Sequence, residues 1–263
     1  MIDGIDKFKI IDCHIHLGNL AYLNMPSGTD EKIIEILRKN GVDRAVFSHH
    51  GSLSTVEAGF DMLFEVLDKY RDFLYAYLVF NPNHGRFFLD RIKQHIQNTG
   101  ILGIKIHPSW HQCYPQSEGY KDFWEYTSKN GIVVLTHSWN PNVANKVQKY
   151  SDPFFFEEIA RKFPEQKIIL AHAGGRGQYF YKVIDILRRN ENMYVDFAGD
   201  TFLPFIIDRY VAEIGSERIL FGTDMPWIDV RYHISNILHA DISEKDRHNI
   251  FHLNAERLFD IKL

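Results

Sequence analysis

The run Asp12-Cys13-His14-Ile15-His16 places two imidazoles one residue apart near the start of the chain. Residues 8–16 read as a strand, in which side chains alternate between faces. His14 and His16 then point the same way, and two imidazoles on one face can grip a single metal ion. Asp12 shares their parity one layer deeper, where a carboxylate can orient a ligand. Cys13 and Ile15 have the opposite parity and are expected to face the helices, Cys13 as a small core residue. The competing reading is a strand that merely carries two histidines. Histidine is neither apolar nor β-branched, so packing gives little reason for two of them on one face.

Three more polar residues end apolar runs. His137 closes Leu135-Thr136-His137, His172 closes Leu170-Ala171-His172, and Asp224 follows Phe221-Gly222-Thr223. Each alone fits a hydrogen-bonded core residue. Three at matching strand ends are harder to dismiss, because a buried polar group costs free energy unless it is paired. One metal site accounts for all of them.

The elements that must position these groups repeat about every 30 residues, the spacing of a βα unit. Strands are predicted at 8–16, 44–48, 74–80, 102–107, 132–137, 167–172, 193–197 and 218–222. Helices are predicted between them. At 29–40, Thr29 can cap the first turn, and Asp30 and Glu31 sit at the positive end of the helix dipole. Ile33, Ile36 and Leu37 form an apolar stripe, and Gly41 marks the stop. Val56, Phe60, Leu63, Phe64 and Leu67 share one face of the next helix, and similar stripes run through 183–187 and 206–214. Strands alternating with helices pair in parallel. Runs such as Ile132-Val133-Val134-Leu135 suit a sheet buried on both faces. The expected fold is therefore α/β, a (β/α)8 TIM barrel forming a single domain over 1–263, with an open doubly wound sheet as the alternative. In a barrel the active site forms at the C-terminal strand ends, where the histidines and Asp224 fall.

Composition narrows the partners. The 263 residues are 45% apolar and 24% charged, ordinary for a globular chain. A net charge of −4 without clustered Lys and Arg argues against nucleic acid. No apolar run is long enough to cross a bilayer. The opening Met1-Ile2-Asp3-Gly4-Ile5-Asp6 reads without the regions of a signal peptide, so a cytoplasmic protein is expected, with Cys13 and Cys113 as free thiols. The expected partner is a small-molecule substrate, and pairing into a homo-oligomer through the outer helices stays open.

The ordered set D-C-H-I-H at 12–16, G-I-K-I-H-P at 103–108, the strand ends at His137 and His172, and G-T-D-M-P-W at 222–227 resembles the amidohydrolase superfamily. Within it the set is similar to the amidohydrolase-related branch of aminocarboxymuconate-semialdehyde-decarboxylase-like proteins. N-A-E-R-L-F at 254–259 resembles that branch's C-terminal helix. The resemblance implies a metal held by His14, His16, His137 and Asp224. It implies His172 beside the metal as an acid/base or polarising group, or as ligand to a second metal. Lys105 has two readings under the resemblance: a carbamylated bridge between two metals, or, closer to the wording at 103–108, a residue of a mononuclear site. A third reading is a lysine neutralised by a buried carboxylate such as Asp12 or Asp196. One Zn2+ is expected, or two if Lys105 is carbamylated; Mn2+, Fe2+ or Ni2+ also suit these ligand types.

Zinc lowers the pKa of bound water from about 16 to near 7, which makes hydroxide available at neutral pH. Asp224 could carry the water proton and His172 could stabilise a developing oxyanion. The expected activity is hydrolysis of a small amide, lactone or ester. The alternative is a lyase, a non-oxidative decarboxylase of a small unsaturated or aromatic acid, and a third reading is a non-catalytic metal-binding barrel. Short loops after the first two strands, and no arginine cluster in them, favour the hydrolase. Candidates for substrate contact are His107, Trp110, Trp139, Trp227, His49 with its neighbour His50, and Arg176 as a clamp for a carboxylate or phosphate.

Overall fold

The structure, a computed structural model, describes residues 4–18, 28–54, 58–175 and 177–263. Met1, Ile2, Asp3, Val56 and Arg176 lie outside the described residues.

Eight strands pair in parallel and in chain order: β1 Ile11–Leu17, β2 Arg44–His49, β3 Leu74–Phe80, β4 Ile101–Ile106, β5 Val134–Thr136, β6 Ile168–Leu170, β7 Met193–Asp196 and β8 Ile219–Leu220. The ring closes from β8 to β1. Cys13 N–H donates to Phe221 O at 2.8 Å, Asp224 N–H to His14 O at 2.8 Å, and His16 N–H to Met225 O at 2.8 Å. The α/β barrel predicted from the alternation is the observed fold.

Helices follow the strands for local reasons. Thr29 caps the helix Asp30–Lys39 by accepting from Lys32 N–H at 3.4 Å. Ile33, Ile34 and Leu37 are buried on its inner face, and Gly41 takes a left-handed φ of 87° just beyond its end. Asp152 caps Pro153–Lys162, accepting from Phe154 N–H at 3.1 Å. The 254–259 segment is a helix, Asn254–Phe259, and Asn254 Nδ2 donates to the Ser216 and Ile219 carbonyls at the start of β8.

Two apolar layers alternate along the strands. Ala76, Leu78 and Phe80 of β3, Val134 of β5 and Ile168 and Leu170 of β6 pack among helix residues such as Leu63, Phe88 and Phe123. Tyr77, Leu135, Ile169 and Leu220 belong to a second cluster in the lumen, plugged by Ala255 and Leu258 of the last helix. Cys13 packs in this luminal cluster with Ile11, while Ile15 and Leu17 join the helix-facing layer. The simple alternation had both Cys13 and Ile15 facing the helices. The register of β1 against β2 shifts between Asp12 and Ile15, and this bulge breaks the period of two.

Candidate active site

His14 is fully buried at the C-terminal half of β1. Its Nδ1 lies 2.9 Å from Asp196 Oδ2, a carboxylate at the end of β7. Asp196 Oδ1 also accepts from His172 N–H at 2.8 Å and Ala198 N–H at 3.1 Å. Burial alone would raise the Asp196 carboxyl; the His14 ring and these donors overcome it and hold it below the usual carboxylate range. Burial, with Lys105 adding to it, pushes His14 down to about 3. A neutral ring whose Nδ1 proton is committed to Asp196 leaves its Nε2 lone pair facing the mouth. Gly222 makes this closeness feasible, since a Cβ there would stand 3.0 Å from His14 Cβ and 3.3 Å from Asp196 Cβ.

His16, two residues on, is also held at both nitrogens. Nδ1 lies 3.0 Å from Ser48 Oγ and Nε2 lies 3.0 Å from Asp224 Oδ1. Asp224 sits beyond β8 in a left-handed conformation, φ 63°, locked by its N–H bond to His14 O. Burial works to raise its carboxyl, but the His16 hydrogen bond and the surrounding imidazoles of His172, His16 and His14 hold it far below the usual range. The ligand atoms of His14, His16 and Asp224 lie within 4.8 Å of one another. Neutral imidazole lone pairs beside an ionised carboxylate fit a divalent cation. The ligand atoms of His14, His172 and Asp196 also lie within 4.8 Å of one another. There the carboxylate is already spent on a ring N–H and two backbone N–H groups, so Asp196 fits the role of an orienting partner better than that of a ligand.

His137 and His172 stand on the adjoining wall. His137 Nδ1 is 3.1 Å from His172 Nε2, and His137 Nε2 is 3.0 Å from Gln148 Oε1. Three of the four residues expected as ligands thus share one cluster, and the fourth is turned toward His172. His172 has φ 59°, a strained backbone for a non-glycine residue, and its Nδ1 donates to Ala198 O at 2.9 Å. Lys105 is buried between the two groups. Its Nζ is 2.9 Å from His14 Nε2, and burial lowers it to about 8 against the pull of Asp196 and Asp224. Asp12 does not neutralise it. That carboxylate accepts from Thr223 Oγ1 at 2.6 Å and from the N–H groups of Thr223 and His14, tying β1 to the end of β8.

These groups floor a cavity of about 360 Å3. His107 stacks on His137 at 4.1 Å and Trp139 stacks on it at 5.6 Å; both line the cavity, as do Trp110 and Trp227. His49 does not line it. Its ring packs beneath Gly18, where a Cβ would stand 2.5 Å away, and His50 instead enters, stacked on His16 at 4.8 Å. Sequence reasoning passed over Gln148 and Ser48, and it cast Asp196 only as a partner for Lys105. A carboxylate inside the apolar run Tyr194-Val195-Asp196-Phe197 was the available signal for the last.

The amidohydrolase family profile matches residues 11–261. The chain belongs to this family. Curated relatives include a gamma-resorcylate decarboxylase of Rhizobium sp. (strain MTP-10005), 40% identical over a match covering 54% of each chain. Another, from Polaromonas sp. (strain JS666 / ATCC BAA-500), is 32% identical over 38% of this chain and 36% of the relative. The matches thus span about half or less of these relatives' length. Among solved structures, a 2,6-dihydroxybenzoate decarboxylase complexed with 2,6-dihydroxybenzoate superposes with TM-score 0.79 at 16% identity, covering 96% of this chain and 99% of that one. The 5-carboxyvanillate decarboxylase of Sphingomonas paucimobilis gives 0.78 at 13% identity, over 97% and 100%. A dihydroxybenzoic acid decarboxylase of Polaromonas sp. JS666, with bound manganese and the inhibitor 2-nitroresorcinol, gives 0.76 at 16% identity, over 96% and 97%. At these identities the superpositions speak to the fold.

The expected hydrolase is overturned by the curated relatives, which are decarboxylases. The physical reason lies in the donor set, which serves both chemistries equally. Loop length was a poor arbiter: a buried lysine and stacked aromatic rings give the small mouth a cation and a flat wall without an arginine cluster. Among the described residues, no helix is long and apolar enough to cross a membrane.

Proposed function

We propose that this chain is a metal-dependent, non-oxidative decarboxylase of a small aromatic carboxylic acid. The observation that carries the reading is the convergence of His14, His16 and Asp224 at the floor of an aromatic-walled cavity, in a chain whose curated relatives remove carbon dioxide from an aromatic acid. We further propose one domain over 1–263 and one divalent cation, zinc or manganese, with His14, His16 and Asp224 as its ligands and His137 the fourth candidate. A pair of ions bridged by a carbamylated Lys105 is less well supported, because the Asp196 carboxylate of the second cluster is already taken by His14 and two backbone N–H groups. When bound, the cation would hold the substrate's oxygens and offset the charge left as carbon dioxide departs.

The protein's own groups do the rest. Asp196 and Ser48 fix the two β1 imidazoles, so the rings already face the floor. Trp139, His137 and His107 form a parallel column, and Trp227 and Trp110 line the mouth beside it. Lys105 supplies positive charge to a carboxylate. Breaking the bond to the carboxylate carbon leaves its electron pair on the ring carbon, which must then take a proton. Asp224 and His172 are the assigned carriers of that proton.

The test is carbon dioxide release from metal-replete protein across a panel of hydroxybenzoic acids. The reading predicts turnover of at least one acid, lost in His14→Ala. Protein that binds one metal per chain and releases none from any of them would refute it.

A further inference from the structure

Gln148 lies in the turn Lys146–Ser151, between β5 and the helix Pro153–Lys162. It belongs to no motif, yet its side chain reaches the cavity wall. Its Oε1 is 3.0 Å from His137 Nε2 and 3.0 Å from Ser109 Oγ. The donors behind it run in one direction. Ser109 N–H donates to Ser151 Oγ at 3.1 Å, the two hydroxyls are 2.6 Å apart, and Ser109 Oγ–H donates onward to Gln148 Oε1. An amide oxygen has two lone pairs; Ser109 takes one, and the other faces His137 Nε2.

This accounts for something the stacking cannot. His107 and Trp139 lie against the His137 ring at interplanar angles of 13° and 8°, which fixes its plane. Stacking does not select which nitrogen bears the proton, nor does it oppose a half-turn of the ring within that plane. A hydrogen bond does both.

We propose that Gln148 is a positioning residue: by accepting from His137 Nε2–H it leaves the Nδ1 lone pair of His137 aimed at His172 and the catalytic floor. At the far end, His172 Nδ1 faces the Ala198 carbonyl, which can only accept, so each ring donates outward, His172 to Ala198 and His137 to Gln148, and the inner pair His172 Nε2 and His137 Nδ1, 3.1 Å apart, is left facing the floor. The kinetic consequence rests on the decarboxylase reading; the proton placement does not.

The experiment uses full-length protein labelled with 15N-histidine and loaded with zinc, which is diamagnetic, alongside metal-free protein. His137 is assigned by its absence in His137→Gln. The expected result is the Nε2–H tautomer in the wild type and in Gln148→Glu, which keeps an acceptor oxygen. Gln148→Leu should lose that preference. In turnover, Gln148→Leu should lower kcat about ten- to a hundredfold with KM little changed, the range seen when an outer hydrogen-bond partner is removed. Gln148→Glu should recover most of the loss. An Nδ1–H tautomer in the wild type would overturn the proposal, as would Gln148→Leu with unaltered tautomer and kcat, or Gln148→Glu as impaired as the leucine variant. If no acid is turned over by the wild type, the decarboxylase reading fails while the tautomer measurement still decides this one.

Discussion

Two sides of one cavity hold their histidines by different means. On the β1, β7 and β8 side, ionised carboxylates do the holding: Asp196 grips His14 and Asp224 meets His16. On the β5 and β6 side no carboxylate among the described residues touches His137; a neutral amide, a neighbouring imidazole and two stacked rings hold it. His111, buried beyond β4, likewise has no acidic partner among the described residues. A carboxylate concentrates negative charge where a cation can bind. A neutral chain sets direction without charge, which suits a group that positions substrate or passes a proton. In the proposed reading the charged wall supplies the three principal cation ligands, and the neutral wall sets direction and offers His137 as the fourth candidate.

The strongest break of this contrast removes the charged side. His14→Ala and Asp224→Asn should each lower turnover by at least about a thousandfold, with bound metal lost at least for His14→Ala, as elemental analysis of purified protein would show. Asp196→Asn is milder because His14 remains. Metal affinity should weaken about ten- to a hundredfold, read by titration with a chelator; unchanged affinity would mean that Asp196 only braces the backbone. On the neutral side, His172→Gln should lower kcat while leaving most of the metal bound. A variant that loses both together would erase the distinction between the two walls.

The smallest effect is on stability against pH. Burial pushes His49, His111 and His233 each down to about 4, and His50 to about 3. The unfolded chain takes up these protons near pH 6.5 and the folded chain does not. Stability from these rings is therefore complete above about pH 6.5 and is lost as pH falls toward 4, at up to about 1.4 kcal/mol per pH unit for each group. Denaturant midpoints should drop between pH 6.5 and 4, and His111→Phe should flatten the slope. A slope unmoved by that change would mean His111 does not contribute.

Much of this was legible in the residues. The barrel follows from eight apolar runs, and the expected site position from the four that lead into His16, His137, His172 and Asp224, because polar groups at the ends of buried strands need partners. What stayed hidden depended on local geometry. The bulge in β1 turned Cys13 inward, and no residue type announces a bulge there. The chain turns into a short helix at His50, so His50 rather than His49 faces the cavity. Gln148 arrives from an irregular turn that no periodicity marks. The reaction itself was hidden most deeply: imidazoles and a carboxylate around a cation serve hydrolysis and decarboxylation alike.

The proposed chemistry requires a shared cation among His14, His16 and Asp224. The direct measurement is anomalous diffraction from crystals grown with manganese. It should place one ion within about 2.0–2.3 Å of His14 Nε2, His16 Nε2 and an Asp224 oxygen, in the range of such bonds. Manganese bound elsewhere, or no ion between these three side chains at saturating metal, would contradict it.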